Sequence, residues 1–132
     1  MNILFLGLGS IGQRHLINAK KIFKKAKFYA FRKKNSNLII KNVKVKKKLN
    51  LSKYYRLESC KSLKEAKKIK PSITFICNPS SFHLRDAKIF AQEGSHLFIE
   101  KPLLGNDIEI KKLTNTLKSK SLNSMVGFQL RF

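Results

Sequence analysis

Six residues near the start of the chain, Gly7-Leu8-Gly9-Ser10-Ile11-Gly12, hold three glycines at the spacing G-x-G-x-x-G. They follow the apolar run Ile3-Leu4-Phe5-Leu6 and precede a stretch with helical period. In that setting the first glycine permits a tight turn. The second lets the backbone approach a pyrophosphate with no Cβ in between, and the third lets a helix pack close to a sheet. The N-terminus of that helix would offer free N–H groups and partial positive charge to phosphate oxygens. Gly7, Gly9, Ser10, Ile11 and Gly12 are therefore candidate dinucleotide-binding residues. A dinucleotide site of this kind usually has an acid at the end of the second strand, holding the ribose hydroxyls. Here that position falls in "FRKKN", so Arg32, Lys33 and Lys34 stand where the acid would be. Basic residues there suit a 2′-phosphate, which favours NADP over NAD.

Three later segments are also candidates for chemistry: "CNPSSFH" (77–83), "FIEKPL" (98–103) and "VGFQLRF" (126–132). Each follows a predicted strand, at the carboxyl edge where ligands bind in open α/β sheets. A lysine at such an edge, shielded from water beside a cationic ring, would have its pKa lowered and could accept a proton or donate a hydrogen bond. Lys101 is that lysine. His15 and His96 read as structural.

Strands are expected at 3–6, 27–32, 72–77, 96–100 and 124–130, and helices at 12–26, about 62–70, after Pro79 and about 106–118. Leu16, Ala19, Ile22, Phe23 and Ala26 share one face of the first helix. Ser62 with Glu65, and Asn106 with Glu109, form capping-box patterns. Ser80 or Ser81 is a candidate cap for the third helix, and Gly94 a candidate C-terminal residue for it. The segment 38–57 reads either as an edge strand or as an irregular, lysine-faced connection. Strands alternating with helices through short loops imply a doubly wound, mostly parallel α/β sheet, the Rossmann class. The 132 residues fit one domain, 1–132, with no linker and no internal repeat.

Composition narrows the classes further. The formal net charge is +22, with 29 basic residues against seven acids. Residues 20–70 hold 20 of those bases and two acids, Glu58 and Glu65. Lysines outnumber arginines 24 to five and mostly punctuate apolar positions, as in "KKIFKKAKF". Specific nucleic-acid recognition leans on arginine and aromatic stacking, so a solvated lysine surface is the favoured reading. A polyanion-binding surface over 20–70 is the alternative. No apolar run is long enough for a membrane span, and the N-terminus has no basic region like that of a secretory leader. Cys60 and Cys77 have neither metal nor redox spacing, and the reading is of reduced thiols in a cytoplasmic protein.

With "GLGSIGQRH" (7–15), the three segments at 77–83, 98–103 and 126–132 make the chain resemble the oxidoreductase family named for glucose-fructose oxidoreductase, inositol dehydrogenase and MocA. The resemblance runs from residue 1 to 132, with the motifs in the family's order, and covers only its N-terminal, cofactor-binding domain. It implies an NAD(P)(H) cofactor and hydride transfer to or from a hydroxyl or carbonyl of a sugar, nucleotide sugar or cyclitol. It also implies that Asn78, Pro79 and His83 border the ribose and nicotinamide. Glu100, Lys101 and Pro102 match the family's E-K-P, whose lysine lies beside the nicotinamide and the substrate hydroxyl. Gln129 and Arg131 fall where the family's closing strand approaches the nicotinamide end. Family members continue into a second domain that forms the substrate site. Residues 126–132 then read as the start of a crossover into a missing domain, and the chain as inactive alone. It would need self-association or a separate chain to supply that wall. A non-catalytic dinucleotide-sensing module is the alternative from another class.

Overall fold

The structure is a computed structural model that describes residues 1–32, 38–41, 44–48 and 50–128. Strands β1 (Asn2–Leu6), β2 (Lys27–Phe31), β3 (Leu38–Lys41), β4 (Lys44–Lys48), β5 (Glu58–Cys60), β6 (Ile73–Ile76), β7 (His96–Glu100) and β8 (Ser124–Gly127) alternate with five helices. These are α1 (Ser10–Ile22), α2 (Leu51–Tyr55), α3 (Leu63–Lys68), α4 (His83–Gln92) and α5 (Asp107–Ser119), with a 3-10 turn at Ser80–Phe82.

The main sheet has the strand order β5-β2-β1-β6-β7-β8, and every pairing in it is parallel. The order reverses between β1 and β6, which makes a crevice at their carboxyl ends. Alternation along β1 sets the two layers. Ile3 and Phe5 face α1 and α2, packing with Leu16, Ala19, Leu51 and Tyr55. Leu4 and Leu6 face α3, α4 and α5, packing with Ala66, Ala87, Phe90 and Leu113. Burial on both faces explains why β1 is apolar throughout its last four residues.

The sequence reading holds for the main strands, except that the closing strand ends at Gly127 and residues 129–130 of its expected range lie outside the described residues. The N-cap half of each capping box forms, the Ser62 and Asn106 side chains accepting from Glu65 N–H and Glu109 N–H, while the Glu65 carboxylate accepts from Lys61 N–H and Glu109 pairs with Lys88. Four details differ. The first helix ends at Ile22 instead of continuing to 26, because Phe23 leaves helical geometry, and Ile22 is exposed. Neither Ser80 nor Ser81 caps α4, since both lie in the preceding 3-10 turn. The segment read as an edge strand or an irregular connection becomes β3 and β4, an antiparallel ribbon separate from the main sheet, followed by α2. The strand β5, three residues long, is too short to show a period.

Candidate functional site

Residues from four adjacent strands meet along the carboxyl edge, in the order β2, β1, β6, β7. Gly7 begins the loop after β1. Its φ is +90°, and a Cβ there would lie 2.8 Å from the backbone of Cys77 and Asn78. Its N–H donates to the Phe31 carbonyl at 2.9 Å, tying the loop to β2. Gly12 is packed as tightly, since its Cβ would stand 2.6 Å from the Gly7 carbonyl oxygen. Gly9 is the opposite case: its φ is ordinary and nothing lies within 4 Å of its would-be Cβ. Gly7 and Gly12 are thus required by the fold itself, whereas Gly9 faces open space. Gly9 is also the N-cap of α1, so no side chain occupies the helix terminus, where Ser10 and Ile11 form the first turn.

Gln13, in the same turn, braces this loop. Its amide nitrogen donates to the Leu8 carbonyl at 3.0 Å, and its amide oxygen accepts from the Tyr55 hydroxyl at 3.0 Å. Sequence reasoning missed both residues, because Gln13 stands one position past the last motif glycine and Tyr55 belongs to an unanticipated helix.

At the end of β6, Asn78 follows Cys77. The Asn78 amide nitrogen donates to Asp86 at 2.6 Å. Asp86 is buried and its carboxylate only accepts, which fixes the amide orientation. The Asn78 Oδ1 is left buried with no partner among the described residues. An unpaired buried acceptor costs about 1–3 kcal/mol, so it marks a place where a donor from outside the chain is favoured. Pro79 is exposed and opens the 3-10 turn that leads to His83. His83 itself is buried between two carbonyls, Pro102 at 3.0 Å and Asn78 at 2.7 Å.

At the end of β7, Glu100 is buried and its carboxylate meets His15 Nε2 at 2.5 Å. The backbone N–H of Lys101 donates to the other Glu100 oxygen at 3.3 Å. Lys101 and Pro102 are exposed. At the other side of the site, Arg32 follows β2 and is partly buried, and burial pushes its guanidinium below its usual range. Lys33, Gln129 and Arg131 lie outside the described residues. Cys77, beneath the glycine loop, has its thiol pushed up to about 12, first by burial and then by the Glu100 charge. Cys60 is pushed up to about 11, by burial first and then by Glu65 and Glu58. Neither thiol has the low pKa of a reactive cysteine.

The glycine cradle, the open Gly9 and the orphaned Asn78 oxygen fit a dinucleotide laid across the β1/β6 crevice. Residues 1–128 match the oxidoreductase family GFO_IDH_MocA, described as having an NAD-binding Rossmann fold. The chain belongs to this family. Among solved structures it is similar to the WlbA dehydrogenase from Chromobacterium violaceum in complex with NADH and UDP-GlcNAcA, with TM-score 0.77 and 16% identity over 99% of this chain and 36% of that one. It is also similar to the dehydrogenase MviM from Clostridium difficile, with TM-score 0.77 and 25% identity over 100% of this chain and 40% of that one. For apo scyllo-inositol dehydrogenase from Lactobacillus casei the TM-score is 0.75 and the identity 23%, over 100% of this chain and 38% of that one. No curated protein matches in sequence. The chain therefore spans well under half the length of these solved relatives. No helix among the described residues is long and apolar enough to cross a membrane.

Proposed function

We propose that residues 1–132 are the NAD(P)-binding domain of an oxidoreductase that acts on a hydroxyl or carbonyl of a sugar, nucleotide sugar or cyclitol. The observation that carries this reading is the meeting of the Gly9 cradle, the Asn78 acceptor and Lys101 on adjacent strand ends across the switch point. The nicotinamide, when bound, supplies the hydride acceptor or donor. The first turn of α1 binds the pyrophosphate, with Gly9 admitting the backbone contact. The Asn78 Oδ1 orients the ribose or nicotinamide end by accepting a hydrogen bond. Lys101 receives or returns the proton of the substrate hydroxyl. Arg32, at the end of β2, is a basic residue where an acid would otherwise hold the ribose hydroxyls, and this supports NADP(H) binding at least as well as NAD(H).

The substrate's second wall belongs to residues beyond this domain, either in a further domain reached through 126–132 or in a second chain. Met125 and Phe128, both exposed at β8, supply apolar area for that contact. The domain by itself should bind cofactor and turn over little substrate, because lost orientation alone forfeits about 7–11 kcal/mol of barrier reduction. Calorimetric titration with NADH and NADPH, followed by 340 nm absorbance assays over sugars, cyclitols and nucleotide sugars, tests both halves of the reading. Absence of dinucleotide binding refutes the first half, and robust turnover by the 132-residue chain refutes the second.

One observation favours the polyanion reading. Lys20, Lys27, Lys53 and Arg56 line a cavity of about 460 Å³ that also contains Glu58. Burial, and then the Arg56 charge, lower the Lys20 pKa. Affinity for a polyanion that falls steeply with salt and ignores NAD(P) would favour this second reading.

A further inference from the structure

The turn Glu100-Lys101-Pro102 is fastened from both layers of the fold, by a different histidine on each side. From α1, His15 reaches the Glu100 carboxylate at 2.5 Å, and its ring packs on Phe98 with 4.7 Å between centroids. From α4, His83 reaches the Pro102 carbonyl at 3.0 Å. Lys101 lies between the two anchored residues, and its own N–H is held by Glu100 at 3.3 Å. The contacts span 85 and 19 residues of sequence, so neither is a by-product of local chain geometry.

The second contact has a chemical consequence. Both His83 ring nitrogens face carbonyl oxygens, Pro102 at 3.0 Å and Asn78 at 2.7 Å, and carbonyls only accept. The His83 ring is held between these two carbonyls with 2% exposure. The buried carboxylate of Asp86 lies one helical turn further along α4 and is linked through the Asn78 amide at 2.6 Å. Arg85 shares that carboxylate at 2.7 Å. His83 thereby ties the Lys101 turn to the backbone of Asn78, whose side-chain oxygen is the orphaned acceptor of the site.

We propose that His15 and His83 are positioning residues that clamp the Glu100–Pro102 turn from opposite faces of the sheet and so set Lys101 against the nicotinamide. The Glu100 carboxylate is part of this clamp. The inference rests on the cofactor reading above for the location of the nicotinamide, but the clamp itself is a property of the free chain.

The test uses the 132-residue chain with His15→Gln, His83→Gln and Lys101→Met, alone and combined, and titrates each with NADH and NAD+. An ammonium near the ring favours the neutral reduced nicotinamide over the cationic oxidised one. Lys101→Met should therefore lower the NADH-over-NAD+ preference by about fivefold, the effect of one unit charge at about 4 Å in water-like surroundings. Each histidine variant should lower that ratio similarly, and neither should lower it further once Lys101 is Met. A purely structural role would change both affinities together and leave the ratio intact, which overturns the proposal. One measurement needs no cofactor: exchange of the Lys101 amide should quicken in both histidine variants. If the unmodified chain binds no dinucleotide, or Lys101→Met leaves the ratio unchanged, the cofactor reading fails. Amide exchange then decides the clamp alone: faster exchange in both variants supports it and unchanged exchange overturns it. Should His83→Gln fail to fold, the His15→Gln variant carries the same decision.

Discussion

At the scale of single residues, the three motif glycines separate into two kinds. Gly7 combines a positive φ with backbone atoms 2.8 Å from its would-be Cβ, and Gly12 would collide with the Gly7 carbonyl. Gly7→Ala and Gly12→Ala should each destabilise the fold by about 1–3 kcal/mol, measured by denaturant unfolding. Gly9→Ala should leave stability unchanged, or raise it by about 0.4–1 kcal/mol through the unfolded state. It should nonetheless weaken NADH binding more than tenfold, because the methyl group occupies the open cradle. Equal losses of stability in all three variants would show that Gly9 is also a packing glycine. Arg32→Glu belongs to the same scale. It should shift preference from NADPH towards NADH at moderate salt, and an unchanged preference would place the 2′-position away from the end of β2.

At the scale of elements, the helices differ in how their N-termini are satisfied. The Asn50, Ser62 and Asn106 side chains cap α2, α3 and α5, whereas α1 begins at Gly9 with no side-chain cap. A side-chain cap is worth about 0.5–2 kcal/mol, so its absence at α1 leaves N–H groups for a ligand at some cost to the free domain. Asn106→Ala should lower stability by about 1 kcal/mol, read from the unfolding midpoint, with NADH affinity unchanged. A fall in affinity would mean that α5 and the 101–106 loop carry strain into the site.

At the scale of the whole molecule, the buried thiols give the fold an alkaline limit. The native Cys77 thiol holds its proton to about pH 12 and that of Cys60 to about pH 11, against an ordinary value of 9.0. The unfolded chain gives these protons up first, so above pH 9 it binds fewer protons than the native state. Stability should therefore be fully present below pH 9 and fall as pH rises from there towards 12. Cys77→Ala keeps the Cβ that lies 3.3 Å from where a Gly12 Cβ would stand and removes the thiol, so its alkaline decline should be shallower. Parallel declines in thermal melts between pH 8 and 11 would place the titrating groups elsewhere.

The sequence by itself determined the alternation of strand and helix, the Ser62 and Asn106 N-caps, the glycine turn and the candidate edge of the sheet. These are local signals: a buried strand is apolar throughout, a helix repeats every 3.6 residues, and an N-cap contact spans four positions. It also placed Lys101 at a strand end, since E-K-P follows an apolar run. Residue types could not show which side chains face one another across the sheet. The Glu100 carboxylate turns to His15, 85 residues away, and His83 bridges two carbonyls brought together by β6 and β7. Those partners became neighbours only when β1, β6 and β7 paired in parallel register and laid α1 and α4 on opposite faces. The strand β5 and the helix α2 escaped for a related reason, being three and five residues long and held by tertiary packing, with no periodic pattern of their own.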